Sequence, residues 1–392
     1  MLKRVDLFMP PISQYSVLHH FTRKLAEGFN RVGVNARILE AEKNNPKPFL
    51  DAIFSDPPDC TISFNGLLPD ENGNFLADMI KIPHVALVVD SPNQYFPLAT
   101  SKYTIVASVD RFYCDFFRGL GCPHVLFIPH AVEAELATSP KTERVFDVVM
   151  LGSFLDPEKI RQDWLKVCTP PELCKIMDEA AEISLMQDET SYIKAFVEAI
   201  ARQEGKFGGL DPSTINYPLV FDQLEAFIRA KERIELIKSI KDAKVNLFGS
   251  GAVPITQKYL RNSNANVIAH DGVPFEQALE IFKKTKITLN SAPHLKDGSH
   301  ERVFSALAAG SSVISSESSY LREIFKSKDG LIFYSFKDRN KVNDEVNRLL
   351  HNEAERQKSV QSKQKTVLDG HTWDHRAMLL ARELSPILQG VS

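Results

Sequence analysis

Short apolar runs alternate with longer amphipathic stretches along this chain, and they do so in two separate blocks. In the first, Val5–Met9 leads into a loop, Pro10 to Ser16. An amphipathic stretch from Val17 to Val32 ends at Gly33, and a second run follows over Ala36–Leu39. Cys60–Phe64, His84–Val89, Tyr103–Ala107 and Val125–Ile128 continue the series. The second block opens with Phe146–Met150, resumes at Val245–Phe248, and continues through Asn266–His270, Lys286–Leu289, Val313–Ile314 and Leu331–Tyr334. A strand that returns to its own sheet through a helix must lie parallel to its neighbour, and such a sheet is covered by helices on its faces. At 392 residues the chain is too long for one ordinary core, so each block is expected to be its own α/β domain with a Rossmann-like sheet.

The two blocks set the domain limits. Residues 133–146 are polar and contain Ser139-Pro140-Lys141-Thr142-Glu143, which reads as a linker. The expected division is therefore an N-terminal domain over 1–138, a second over 139–370 and a final helix over 371–392. Alternation breaks off between about 157 and 240. There Leu173–Glu182, Ser191–Arg202 and Leu219–Ile240 carry helical periodicity, separated by Glu204–Gly209. This region reads as a helical insertion that packs on the second domain and fills shape rather than carrying an activity of its own.

Composition excludes several classes. Hydrophobic residues make up 43% and charged residues 25%, the balance of an ordinary globular protein. A formal charge of −3 gives no electrostatic reason to expect a nucleic acid or an anionic membrane as partner. No apolar run is long enough for a transmembrane segment, and the start of the chain lacks the apolar core of a signal peptide. Cys60, Cys114, Cys122, Cys168 and Cys174 are odd in number and form no CxxC pair, so reduced, buried cysteines and a cytoplasmic location are expected. No GxGxxG follows the first strand, which removes the main support for a bound dinucleotide. His371, Asp374 and His375 lie close in sequence, but nothing else completes a ligand set, and neither metal nor cofactor is expected.

The stretch with the most chemistry runs from Lys286 to Gly310. A buried strand leads through Asn290 and Ser291 into a polar loop with Pro293, Asp297, Gly298 and Ser299. A short apolar helix follows, with Gly310 suited to its C′ position. The first turn of such a helix offers unpaired N–H groups and the positive end of its dipole, an arrangement suited to a phosphate. His300 and Arg302 add donors there, and an arginine grips a phosphate with two parallel bonds. At the start of the second domain, Leu151-Gly152-Ser153 closes a strand with a turn that lets backbone amides approach the same group. In the first domain Asp90 ends a strand, where ligands of open α/β sheets collect. It reads either as a catalytic base or as a turn residue. Ser13, Gln14 and Tyr15 share that geometry.

The run Asp297-Gly-Ser-His-Glu-Arg-Val-Phe-Ser-Ala-Leu-Ala-Ala-Gly310 resembles the nucleotide-sugar segment of GT-B glycosyltransferases, in the "glycosyl transferases group 1" branch that includes spore-maturation-protein-like enzymes. Arg302, Phe304 and Gly310 keep the branch's Arg-x-Phe-Glu-x-x-x-x-Gly pattern. Ser305 stands where the pattern has Glu. His371-Thr-Trp-x-x-Arg376 resembles the segment from which the last helix crosses back to the N-terminal domain, and Trp373 is expected to anchor it. The resemblance implies two Rossmann-like domains facing across a cleft, and transfer of a sugar from a nucleotide sugar to an acceptor without a metal. The donor would meet Gly152, Ser153, Gly249, Gly272, Val273, Asn290, Ser291, Asp297, Gly298, Ser299, His300, Glu301 and Arg302. Gly272 and Val273 would lie beside the base, and Glu301 would take the ribose contact in place of Ser305. The acceptor would meet Ser13, Gln14, Tyr15, Asn93 and His130, with Asp90 as the catalytic base. Two other readings share the architecture: a non-catalytic nucleotide-binding or scaffold protein, which Ser305 favours, and a nucleotide-sugar epimerase.

Overall fold

Two sheets, each of six parallel strands, organise the chain. The computed structural model describes residues 2–42, 45–138, 142–168, 170–203, 211–263, 266–326 and 331–391. The chain divides into one unit of Met1–Leu136 with Val367–Ser392 and a second of Ala137–Thr366.

In the first unit the strands are β1 (Arg4–Phe8), β2 (Asn35–Leu39), β3 (Cys60–Phe64), β4 (His84–Val88), β5 (Thr104–Ser108) and β6 (Val125–Phe127), in the order β2-β1-β3-β4-β5-β6. Every residue of β3, β4 and β5 is buried. A parallel strand is covered on both faces, so β4 and the centre of β5 are near-continuous apolar runs, whereas β3 sets Thr61 and Ser63 between its apolar residues and satisfies their buried hydroxyls on His84. The chain steps from β1 to β2 on one side, then returns to β3 on the other, so the sheet reverses direction between β1 and β3. Three non-glycine residues with positive φ gather at the carboxyl ends of those two strands: Tyr15 (56°), Ser16 (59°) and Asn65 (62°). Such conformations cost energy and are held only by their surroundings.

The helix Val17–Arg31 buries Phe21, Leu25 and Phe29. The final helix, Trp373–Val391, lies on it at close range, since a Cβ on Gly28 would come within 2.8 Å of the Trp373 carbonyl. Trp373 packs against Phe21, with ring centroids 5.2 Å apart, and edge-on to Phe64. The last helix thus belongs to the first unit, fixed by a small residue on one helix and a large aromatic on the other.

In the second unit the strands are β7 (Phe146–Leu151), β8 (Lys244–Phe248), β9 (Asn266–His270), β10 (Thr285–Asn290), β11 (Ser312–Ser316) and β12 (Ile332–Tyr334), in the order β12-β11-β10-β7-β8-β9. Numbered within the unit, this is the doubly wound order 6-5-4-1-2-3, and its reversal lies between β7 and β10. Val148, Met150, Leu247, Ile287, Leu289 and Ile314 form the sheet's share of the core, with Ile234 and Ile237 from a covering helix.

Among the described residues, that covering helix, Tyr217–Ser239, is the last of four α-helices between β7 and β8; the others are Pro157–Val167, Leu173–Met186 and Tyr192–Gln203. Periodicity announces three of them. Pro157–Val167 is set instead by its start, where Asp156 accepts from the N–H groups of Glu158 and Lys159 and Pro157 occupies the first turn. The whole of the break at 204–209 lies outside the described residues, as do 139–141 of the stretch read as a linker. A short helix, Glu135–Thr138, begins within that stretch. All five cysteines are buried and unpaired. Among the described residues no helix is long and apolar enough to cross a membrane.

Candidate functional site

The reversal of the second sheet brings together the carboxyl ends of β7 and β10, which are Leu151-Gly152-Ser153 and Asn290-Ser291. Ligands of open α/β sheets bind at this position. Gly152 and Gly249 meet at close range. The Gly152 N–H donates to the Phe248 carbonyl at 3.0 Å, and a Cβ on Gly249 would fall 1.6 Å from the Gly152 carbonyl oxygen. The ends of β7 and β8 therefore meet through bare backbone. On Gly152 itself, a Cβ would come within 3.0 Å of two guanidinium nitrogens, Nη1 of Arg302 and Nη1 of Arg233.

Arg302 stands in the first turn of the helix Glu301–Ala308, every residue of which is buried. Its Nη1 donates to the Leu151 carbonyl at 2.5 Å. Its Nε and Nη2 are buried without a hydrogen-bond partner among the described residues. These two N–H groups point the same way and form the fork that grips a carboxylate or phosphate. Elsewhere in this protein the same edge is filled: Arg37 gives Nε and Nη2 to Asp6, and Arg161 gives Nε and Nη2 to Asp178. Ser299, two residues before the helix, has a buried hydroxyl that is likewise without a partner. At the other end Gly310 adopts φ 78°, as its C′ position requires.

Arg233 comes from the helix Tyr217–Ser239 and is 4% exposed. Its Nη1 donates to the Ser153 carbonyl at 2.5 Å and its Nη2 to the Ser291 carbonyl at 3.1 Å, one on each side of the reversal. Glu225, Arg229, Glu232 and Arg233 recur on one stripe of that helix. Arg229 and His294 each approach the Glu225 carboxylate, at 3.4 and 3.5 Å. Glu232 accepts from the Ser291 hydroxyl and, at 2.6 Å, from the Tyr334 hydroxyl, tying the helix to the ends of β10 and β12.

The electrostatics follow from this crowding of cations. Burial, reinforced by Arg302 and Arg229, pushes Arg233 well below its ordinary value. Burial and the surrounding guanidiniums hold His294 and His300 well below theirs, so both imidazoles are neutral at pH 7. Burial raises the Glu232 carboxyl, against the opposing pull of its two hydroxyl partners. An anion placed here would offset charge that the protein has gathered and desolvated.

The remaining residues named from sequence fall in several places. His300 is the N-cap of the helix and its Nδ1 contacts the Glu301 carboxylate, so Glu301 is turned towards its neighbour. Ser305 is fully buried. Asp297 accepts from the Ser319 hydroxyl at 2.7 Å, and the Gly298 carbonyl accepts from Ser318, which directs both towards the helix after β11. Asn290 donates to Ser315 at 2.9 Å. Gly272 and Val273 lie in the turn after β9, the edge strand, away from the reversal. In the first unit, Asn65 Nδ2 donates to the exposed Asp90 at 2.7 Å. Ser13 accepts from the Leu18 N–H at 2.8 Å and starts a helix rather than standing open. Gln14 and Tyr15 lie in the short turn Gln14–Ser16 that leads into the helix Val17–Arg31, with Tyr15 and Ser16 at positive φ. Asn93 is buried in the loop after β4. The His130 ring packs near Phe21, and its carbonyl accepts from Arg376 at 3.1 Å. Among the described residues no group of three or more His, Cys, Asp or Glu could hold a metal ion.

Sequence reasoning missed Arg229, Glu232 and Arg233. They recur at helical spacing, but the same helix also carries Asp222, Lys231, Glu235 and Lys238, so the pattern alone does not separate the buried charges from the others.

The solved structures that share this architecture settle the fold. AviGT4, a glycosyltransferase involved in avilamycin A biosynthesis, superposes with a TM-score of 0.55 at 11% identity, over 99% of this chain and 98% of its own. Sucrose-phosphate synthase from Thermosynechococcus elongatus superposes with a TM-score of 0.52 at 11% identity, over the full length of both chains (100% of each). The T4 phage enzyme BGT, solved in complex with its UDP-glucose substrate, also superposes with a TM-score of 0.52 at 11% identity over 100% of each chain.

This is the GT-B glycosyltransferase fold.

Residues 229–382 match the family model described as "Glycosyl transferase-like", so this part of the GT-B chain is glycosyl transferase-like in sequence as well. The match begins at Arg229 and takes in Glu232, Arg233, the loop after β10 and Arg302. No curated protein sequence matches the chain.

Proposed function

We propose that this chain moves a sugar from a nucleoside-diphosphate sugar to an acceptor hydroxyl. The observation that carries the reading is the unfilled Nε–Nη2 edge of Arg302, buried beside a helix start at the reversal of a doubly wound sheet. A diphosphate fits that edge: it has paired oxygens for the fork and charge for the helix dipole. As the bond to the sugar breaks, negative charge grows on the leaving diphosphate, and donors already held in place stabilise it without having to reorganise. Gly152, Ser153 and Ser299 border this group in the proposed arrangement. Asn290, Ser291, Gly298, His300 and Glu301 line the same loop, with Asp297, Gly249, Gly272 and Val273 further out along the donor. Asp90 acts as the base that takes the acceptor proton, near Ser13, Gln14, Tyr15, Asn93 and His130.

Titration of the purified protein with UDP, GDP, ADP and dTDP by calorimetry tests the reading, together with hydrolysis of the matching sugar donors. Binding of at least one diphosphate, and weaker binding of its monophosphate, is expected. Failure of all four to bind would overturn it.

A further inference from the structure

We propose that Arg233, carried by a helix rather than by a loop, is a second ligand for the donor diphosphate, so that the helical region between β7 and β8 completes the anion site. This rests on the nucleotide-sugar reading above. The Leu151-to-Glu158 turn after β7 contains no lysine or arginine of its own. The helix Tyr217–Ser239 supplies the cation instead, from the far end of the crossover. Arg233 spends its two terminal nitrogens on the carbonyls of Ser153 and Ser291, which aim the guanidinium into the reversal, and leaves Nε buried without a partner. Its Nη1 and that of Arg302 approach the same point over Gly152 from two elements far apart in sequence. Two desolvated guanidiniums at one glycine repel each other when the site is empty. A group with charge on two linked phosphates satisfies both, whereas one phosphate filling the Arg302 fork leaves Arg233 uncompensated.

Glu232 acts as a positioning residue. Its contacts with Ser291 and Tyr334 fix the turn of helix that carries Arg233. Arg229, one turn earlier, already faces Glu225 and adds to the field rather than to the contact.

The experiment compares inorganic pyrophosphate with orthophosphate, by calorimetry on the full chain, for wild type, Arg233→Met and Arg233→Lys. The wild type is expected to prefer pyrophosphate. Arg233→Met should bind pyrophosphate about thirtyfold more weakly or worse, the range for truncating one partner of a buried charge pair, and should lose its preference over orthophosphate. Arg233→Lys should recover only part, because one ammonium cannot hold two carbonyls and the anion together. If Arg233→Met does not fold, Arg233→Lys decides: wild-type affinity for pyrophosphate in that variant would overturn the assignment. So would wild-type affinity in folded Arg233→Met. If UDP or another nucleoside diphosphate binds and Arg302→Ala weakens it while the Arg233 variants do not, the Arg233 assignment alone falls. If wild type binds neither pyrophosphate nor any nucleoside diphosphate, the nucleotide-sugar reading falls with it.

Discussion

Asn65 holds Asp90. Its Nδ2 donates to Asp90 Oδ2 at 2.7 Å while its Oδ1 accepts from the Val89 N–H at 3.0 Å, and its backbone sits at φ 62°. A strained residue at the end of β3 thus fixes the carboxylate at the end of β4. If Asp90 is the base, Asp90→Asn should lower turnover by about a hundred- to ten-thousandfold, with diphosphate binding intact. Product stereochemistry, followed by proton NMR during turnover, accompanies the rate, since in a retaining reaction the leaving phosphate itself serves as base. Inversion at an undiminished rate in Asp90→Asn would exclude the role.

Arg302→Ala should weaken nucleoside-diphosphate binding by about 2–5 kcal/mol, and Arg302→Lys should restore only a fraction of that. The contact with the Leu151 carbonyl gives Arg302 a structural share as well, so melting temperature and affinity must be measured on the same samples. A lower melting temperature with unchanged affinity of the folded protein would assign Arg302 to structure alone.

Gly249→Ala should destabilise the second unit by about 1–3 kcal/mol or more, because the new Cβ would overlap the Gly152 carbonyl and force β7 and β8 apart where they end. A Cβ added to Gly119, in the helix Arg111–Gly119, would meet no atom within 4 Å beyond its own stretch of helix. Gly119→Ala is therefore expected to be neutral or slightly stabilising. Denaturant melts of the two variants separate crowding from the loss of a glycine as such. Equal stability in both would refute the close approach at Gly249.

Acid should destabilise the first unit through His84. The ring is buried between the hydroxyls of Thr61 and Ser63, at 2.8 Å from each, and burial holds it down to about 3. Its folded value lies below its unfolded one, so its contribution is complete above about pH 6.5. It is lost as pH falls towards 3, at about 1.4 kcal/mol per pH unit through the window, since the unfolded chain alone takes up the proton. His371, held at about 3 by burial and by Arg376, adds to the same window. Melting temperatures of wild type and His84→Gln between pH 7 and pH 4 should converge as the pH falls. Parallel curves would show that His84 carries none of the slope.

The sequence by itself determined the two sheets. Strands buried on both faces carry near-continuous apolar runs, and the helices between them amphipathic ones, so His84–Val88 could be placed to within one residue. The helix start at Arg302 was legible for a similar reason: a polar loop, an apolar helix and a closing glycine are local and contiguous. Strand order was not legible. Only hydrogen bonding between strands distant in sequence decided that β7 lies beside β10, and so that Gly152 and Ser291 end at one place. Arg233 was beyond reach for the same cause. Periodicity marked its helix, but which buried charge on that helix meets the end of β7 depends on how the helix crosses the sheet. Tertiary packing alone settles that, by setting Arg233 and Arg302 over the one residue small enough to lie between them.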